Sequence, residues 1–73
     1  MKVKARDGKV YDVGSAPPGG RHEVRLDGSV MGSFVLEETE TKVDVKDPRA
    51  NATLLVDIAD RFVAQGGAPM GIA

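Results

Sequence analysis

The chain has 73 residues, and its ten lysines and arginines stand against eleven aspartates and glutamates, which gives a net charge of −1. This length allows a single domain, and the balanced charge supplies no overall attraction to nucleic acid. The absence of cysteine excludes disulfides and thiolate metal sites, and the single histidine argues against a histidine-based metal site. A second subunit is then the remaining common way for so small a chain to gain stability.

The first segment, MKVKARDGKVYDV, predicts a β-hairpin around Asp7-Gly8. A three-residue loop of residues 6–8 pairs Val3 with Tyr11 and separates the side chains cleanly between two faces, whereas a two-residue loop mixes them. Gly8 then adopts the left-handed conformation of a bulge. The residues that this register places on the inward face are Met1, Val3, Ala5, Tyr11 and Val13.

The next segment, GSAPPGGRH, has two competing interpretations: a loop that binds an anion or a peptide, or a connector between two hairpins. A phosphate-binding loop of the Walker type needs a lysine followed by serine or threonine, between a strand and a helix. This segment lacks both, and its two prolines remove backbone N–H donors. We therefore predict a connector, with His22 facing solvent or lying at a strand end.

A second hairpin is predicted around Asp27-Gly28, with its register left open because the alternatives sort the side chains equally well. Gly32 interrupts the returning strand and indicates a bulge or a close crossing. The segment ETETKVDVK has a period of two, which is typical of an antiparallel strand with one wet face, and a turn is expected near Glu37-Glu38. The residues expected on the drier face are Thr39, Thr41, Val43 and Val45.

The segment DPRANATLLVDIADRFVAQGG then changes to a helical period. Asp47 followed by Pro48 is one possible N-cap, and Asn51 caps a shorter version of the helix. Gly66 and Gly67 are the stop signal. Asp57 and Arg61 lie one turn apart and are expected to form an ion pair.

These patterns together predict an α+β fold with an antiparallel, twisted sheet of four or five short strands and one C-terminal helix packed on it. The sequence does not decide whether the sheet is also half-rolled into a small barrel. Residues 1–67 form the single predicted domain, and residues 68–73 form a short apolar C-terminal tail.

The helix has a wider apolar face than one sheet requires. Its apolar residues span roughly 200°, whereas a stripe a little over ~100° wide is enough to cover a sheet. Either the helix lies in a groove of its own curled sheet, or one flank meets a second copy of the chain or another protein. We favour the second explanation, and the predicted interface residues are Val56, Ala59, Val63, Met70 and Ile72.

No catalytic, cofactor-binding or metal-binding signature is present, and no cofactor is expected. The predicted function is a small non-enzymatic interaction or accessory module that forms a homodimer or binds another protein. A cytoplasmic location without membrane association is expected, because MKVKARDG lacks the apolar run of a signal peptide and no segment approaches ~18 apolar residues.

The alternative function is a small nucleic-acid-binding β-domain that uses the basic N-terminal hairpin. This alternative is less favoured, because the chain has one tyrosine and no tryptophan on which bases could stack. The residues of the predicted basic patch are Lys2, Lys4, Arg6 and Lys9.

Overall fold

The computed structural model describes residues 1–67 of the chain. It contains, in chain order, β1 (Lys2–Lys4), β2 (Val10–Val13), β3 (Arg21–Leu26), β4 (Ser29–Leu36), β5 (Thr41–Val45) and α1 (Ala52–Ala64). The five strands form one antiparallel sheet in sequential order, so that β1 and β5 are its edges. The helix contacts β1, β4 and β5 on one face of the sheet. The predicted α+β fold is confirmed, and the sheet does not close into a barrel.

The first hairpin has the predicted register. Val3 lies opposite Tyr11, and Gly8 has a φ of 84°, in the left-handed region that the bulge requires. The backbone N–H of Ala5 donates to the carbonyl of Lys9 at 2.9 Å, which closes the three-residue loop. Met1 is paired with Val13 and shares its inward face, as predicted, but the residue is 47% exposed. Met1 precedes β1 at the end of the sheet, where its ammonium group donates to the carbonyl of Val13 at 2.8 Å.

The segment GSAPPGGRH joins β2 to its antiparallel neighbour β3, as predicted for a connector. Its tight turn is closed by a hydrogen bond from the N–H of Gly20 to the carbonyl of Pro17 at 2.8 Å. Gly19 has a φ of 78°, a conformation that glycine adopts without steric cost. Because Pro18 and Gly19 both favour such a turn, the local sequence is sufficient to form it.

The second hairpin turns through a two-residue loop, since Leu26 lies opposite Ser29. Asp27 and Gly28 have φ values of 51° and 84°, as a type I′ turn requires. Further along, the pairing slips by one residue between Val24 and Arg25, which leaves Met31 as the extra residue of a bulge. Met31 turns into the core and is 1% exposed.

Gly32, next to this bulge, allows the helix to approach the sheet closely. A Cβ at Gly32 would lie 2.8 Å from Cδ1 of Leu55 in α1 and would also contact the carbonyl oxygen of Asp44 in β5. Both features predicted for this glycine, a bulge and a close crossing, are therefore present. Leu55 consequently lies over the pair that Gly32 forms with Val45.

The third hairpin pairs β4 with β5, and Phe34 lies opposite Val43. The turn occupies residues 37–40, where the N–H of Glu37 donates to the carbonyl of Glu40 at 3.0 Å, close to the predicted position. Thr39 is a correction, because it is exposed and belongs to this turn and not to the strand. Val45 lies on the drier face, as predicted, but at its edge, where it is 40% exposed.

The helix begins with the shorter of the two predicted versions. Asn51 is its N-cap, and the side-chain oxygen of Asn51 accepts a hydrogen bond from the N–H of Leu54 at 2.8 Å. At the other end Gly66 has a φ of 82°, and the N–H of Gly67 donates to the carbonyl of Phe62 at 2.9 Å. This is the Schellman arrangement that stops a helix at a glycine.

His22 is the main correction inside the sheet. The sequence predicts a histidine that faces solvent or lies at a strand end; His22 lies at the start of β3, but it is only 2% exposed. Its ring centroid lies 5.0 Å from that of Phe34 and 4.8 Å from that of Phe62. Nδ1 of His22 lies 2.8 Å from the carbonyl oxygen of Gly14, and since a carbonyl only accepts, Nδ1 carries the hydrogen. The polar side chain is buried because it is both stacked and hydrogen-bonded.

Candidate interaction surface

The helix is attached to the sheet by its central stripe and by one of its two flanks. The buried residues of the stripe are Leu55, Ile58, Ala59 and Phe62. On one flank, Nε of Arg61 lies 3.0 Å from Oδ2 of Asp57, which is the predicted ion pair. The same carboxylate accepts a hydrogen bond from the N–H of Arg6 at 3.0 Å, and Nη1 of Arg61 donates to the carbonyl of Lys4 at 3.4 Å.

This ion pair binds the backbone at the end of the outer edge of β1. Ala5 turns its N–H toward β2, where it is bound by Lys9, so the carbonyl of Lys4 and the N–H of Arg6 point away from the sheet. Asp57 supplies an acceptor and Arg61 a donor where a neighbouring strand would have supplied them. Partial burial acts to raise the pKa of Asp57, but the hydrogen bonds from Arg6 and Arg61 and the charges of both arginines outweigh it and leave the pKa below its ordinary value.

The opposite flank of the helix has no such attachment. At about 100° per residue, Val56 and Val63 lie on the side of the central stripe away from Asp57 and Arg61. They are 37% and 44% exposed, respectively. Because the Asp57 flank meets β1, the flank with the two valines faces the other edge of the sheet, β5. We refer to Val56, Val63 and the neighbouring edge residue Val45 as the valine surface.

The predicted interface residues have different positions in the structure. Val56 and Val63 are accessible and lie two turns apart on one flank. Ala59 is 0% exposed, because it lies in the middle of the stripe that faces the sheet, so it contributes packing and no surface. Met70 and Ile72 lie outside the described residues. Val45 is an addition to the predicted set, and its signal in the sequence is its place as the last apolar residue of an alternating edge strand.

The residues of the predicted basic patch are all exposed, but they do not form a uniform surface. Lys2 and Lys4 project from the face of the sheet that α1 does not cover, where Nζ of Lys2 lies 4.0 Å from Oδ2 of Asp12. Arg6 and Lys9 lie at the turn on either side of an aspartate. On β3, next to Asp12, Nε of Arg25 is bound by Glu23 at 2.6 Å. Acidic groups are thus interleaved with the basic ones.

Tyr11, the only tyrosine, is unavailable for stacking on a base. It is 2% exposed, and its hydroxyl donates to Oδ2 of Asp7 at 2.6 Å. Burial raises the pKa of Tyr11 to about 12, and the hydrogen bond to the negative Asp7 acts in the same direction. The tyrosine therefore serves the core and the first turn, as its inward position in the sequence pattern predicted.

An open cleft of about 570 Å³ lies between the first turn and the start of α1, and the sequence did not predict it. Three of its polar side chains, those of Asp7, Arg49 and Asn51, already have partners within the chain. Nε of Arg49 is bound by Asp47 at 3.0 Å, and the side chain of Asn51 is engaged as the helix cap. Arg6, Asp7, Arg49, Asn51, Thr53 and Leu54 line the cleft.

Within residues 1–67, no three histidine, aspartate or glutamate side chains lie together as ligands for a metal ion. The same part of the chain contains no helix with the length and apolarity needed to cross a bilayer. Comparisons of the chain with protein-family models, with curated proteins and with solved structures find no match.

Proposed function

We propose that the chain is a small non-enzymatic accessory module that associates with a second copy of itself through the valine surface. The observation that supports this proposal is the unequal use of the two flanks of α1. The flank with Asp57 and Arg61 is hydrogen-bonded to β1, whereas Val56 and Val63 remain 37% and 44% exposed. Apolar side chains that stand together on one flank of a helix gain free energy when a partner covers them.

The size of the chain supports the same proposal. A domain of this length buries only ~60% of its unfolded surface and has a small margin of stability. Here the chain has neither a disulfide nor a cluster of metal ligands within residues 1–67 to add to that margin. Association of folded subunits stabilises each of them by mass action.

The non-enzymatic assignment is supported by the use of the single histidine in the core. His22 is bound to the carbonyl of Gly14, stacked on the ring of Phe34 and packed against the tilted ring of Phe62, a position that suits packing. We place the module in the cytoplasm, since a chain without cysteine does not depend on an oxidising compartment.

The test is the mass of the protein in solution, measured by sedimentation equilibrium over a range of micromolar concentrations. We expect the mass of two chains for the wild type and a shift toward one chain for Val63→Asp. Val10→Asp is the matched control, because Val10 is 49% exposed but lies on the opposite face of the sheet, beside Lys4. A wild-type mass of one chain at every concentration contradicts the proposal.

A further inference from the structure

The two edges of the sheet differ in how their backbone is satisfied. The outer edge of β1 is three residues long, and at its end Arg61 binds the carbonyl of Lys4 and Asp57 binds the N–H of Arg6. β5 has β4 as its neighbour on one side and, within residues 1–67, no strand on the other. An uncovered edge strand presents a row of backbone donors and acceptors to any strand that can align with it.

The hydrogen bonds at both ends of the β4–β5 ladder identify the groups that face outward. The N–H of Glu37 donates to Glu40, and the N–H of Lys46 donates to Met31, at 3.0 Å each. Hydrogen-bonded pairs alternate along an antiparallel ladder, so the backbone groups of residues 40, 42, 44 and 46 face β4. The N–H and C=O groups of Thr41, Val43 and Val45 therefore point away from the sheet.

The sequence of this edge is complementary to itself. If two copies of the segment 40–46, ETKVDVK, run antiparallel about a two-fold axis at Val43, the outward-facing backbone groups of both copies meet. Thr41 then lies opposite Val45 of the second copy. In the same register Lys42 lies opposite Asp44, and Glu40 lies opposite Lys46, on the face that α1 does not cover. Opposite charges directly across a strand pair stabilise it, and like charges destabilise it.

The other symmetric registers that present outward-facing groups are less complementary. A two-fold axis at Thr41 places Glu38 opposite Asp44, which brings like charges together. An axis at Val45 pairs Asp44 with Lys46, but it places Lys42 opposite the uncharged Pro48, which lies beyond the end of β5. The register centred on Val43 is thus the one in which every charged residue of the segment meets an opposite charge.

We infer that the partner of this chain is a second copy joined along β5, in the antiparallel register that places Val43 opposite Val43. This inference rests on the proposed function and specifies its geometry. A two-fold axis perpendicular to the sheet keeps both helices on the same face of the joined sheet. The flank of each α1 that faces β5, with Val56 and Val63, is then directed toward the other subunit, so the strand edge and the valine surface form one continuous interface.

The test uses charge reversal on β5 in the full chain. Lys42 and Asp44 have side chains that are 62% and 49% exposed, so substitution leaves the core intact. Lys42→Asp places a second carboxylate opposite Asp44 at two positions in the dimer, and Asp44→Lys places two lysines opposite each other. Each single variant is expected to raise the dimer Kd about tenfold at low salt, where exposed charges are least screened.

Two combinations should restore the wild-type Kd. The double variant K42D/D44K exchanges the charges and is again complementary to itself. An equimolar mixture of the two single variants should form a heterodimer. The Lys42→Asp variant has carboxylates at positions 42 and 44, and these lie opposite the ammonium groups at positions 44 and 42 of the Asp44→Lys variant. The matched controls are Lys2→Asp and Asp12→Lys, the same changes on the same face but away from β5, with side chains 76% and 58% exposed.

The outcomes separate the two proposals. Weaker association of the single variants with recovery in both combinations supports pairing along β5. A wild-type dimer that Val63→Asp dissociates, but whose Kd the Lys42 and Asp44 variants leave unchanged, overturns the β5 register and leaves the proposed function standing. A wild-type protein that remains a single chain overturns both.

Discussion

The carboxylate of Asp57 in α1 accepts a hydrogen bond at 3.0 Å from the backbone N–H of Arg6, which lies 51 residues earlier in the chain. This contact joins the last element of the fold to the first hairpin. It also holds the flank with Asp57 at β1, so that the flank with Val56 and Val63 lies on the side of β5. The ion pair with Arg61 is therefore part of the tertiary structure and more than a local helix contact.

We expect Asp57→Asn to lower the free energy of unfolding by about 1–2 kcal/mol at neutral pH, because the charged acceptor of Arg6 and Arg61 is lost. The lowered pKa of Asp57 contributes stability above its ordinary value of 3.8, and this contribution is lost as the pH falls through the folded value. The difference between wild type and variant should therefore shrink in acid. Urea unfolding at neutral and at acidic pH measures this difference in the free energy of unfolding. Asp60→Asn, at an exposed position of the same helix, is the control. A difference that persists in acid would contradict this explanation.

Gly32→Ala should destabilise the protein by about 1–3 kcal/mol, because a Cβ there meets Leu55 and the carbonyl of Asp44 and forces α1 away from the sheet. Thermal or urea unfolding provides the measurement. Gly14→Ala is the control, since a Cβ at Gly14 would meet its nearest atom at an ordinary 3.7 Å. Equal stability of the two alanine variants would show that the helix does not approach Gly32 closely.

His22→Leu should cost about 1–2 kcal/mol, because leucine fills much of the space but provides neither the hydrogen bond to Gly14 nor the stacking on Phe34. A second measurement checks the burial directly. Diethyl pyrocarbonate should modify His22 slowly in the folded protein and rapidly in urea, since the side chain is 2% exposed. Modification of the folded protein at the rate of a free imidazole would place His22 outside the core.

Tyr11→Phe should change the response of the protein to alkali. The pKa of Tyr11 is raised from 10.0 to about 12, so its contribution to stability is complete below pH 10.0 and is lost as the pH rises through about 12. The wild type should lose stability over that interval, and the variant should show a smaller loss there. At neutral pH the variant should be less stable by about 1–2 kcal/mol, because the hydrogen bond to Asp7 is lost. Parallel alkaline profiles for the two proteins would contradict the role of this hydroxyl.

The nucleic-acid alternative has a separate test. We expect labelled single-stranded oligonucleotides to show no binding in a filter titration at physiological salt, because Asp12 and Glu23 interrupt the basic residues and Tyr11 is buried. Binding that weakens steeply with salt and is lost in the double variant K2E/K4E would support the alternative function. Val10→Lys, on the same face of the sheet, is the control for a general effect of positive charge.

The first hairpin was predictable because all its information is local. The alternation around Asp7-Gly8 sorts the side chains in only one register, and Val3 does lie opposite Tyr11. The register of the second hairpin was not predictable, because the bulge at Met31 shifts the alternation halfway along the pair. The bulge lies beside the close packing of Leu55 on Gly32, a contact with a distant part of the chain that local alternation does not reveal.

The positions of single side chains depended on tertiary contacts. His22 is buried because Phe34 of β4 stacks on it and the tilted ring of Phe62 of α1 packs against it, and nothing next to it in the sequence indicates that environment. Asp47 and Asn51 are equally good caps by residue type. The choice between them follows from the bulge, since the N–H of Asp47 donates to the carbonyl of Met31 at 3.1 Å and keeps Asp47 at the end of the sheet.

The width of the apolar face of the helix predicted more apolar surface than one sheet covers, and Val56 and Val63 are 37% and 44% exposed. It could not separate Ala59 from Val56 and Val63, because the three lie within a narrow arc and only the position of the sheet decides which are covered. The exposure of Val45 depended in turn on β5 being an edge, which is a property of the strand order.

The contact at the outer edge of β1 also bears on how far a joined sheet can grow. A subunit with two open edges would add further subunits at both ends, and its sheets would extend into a filament. Here Asp57 and Arg61 bind the backbone of Arg6 and Lys4 at the outer side of β1, so the pairing proposed along β5 would use the edge that has no such contact. If subunits pair in this way, the contact between the helix and the first strand favours an assembly that ends at two, and its loss would leave each subunit with a second edge for strand pairing.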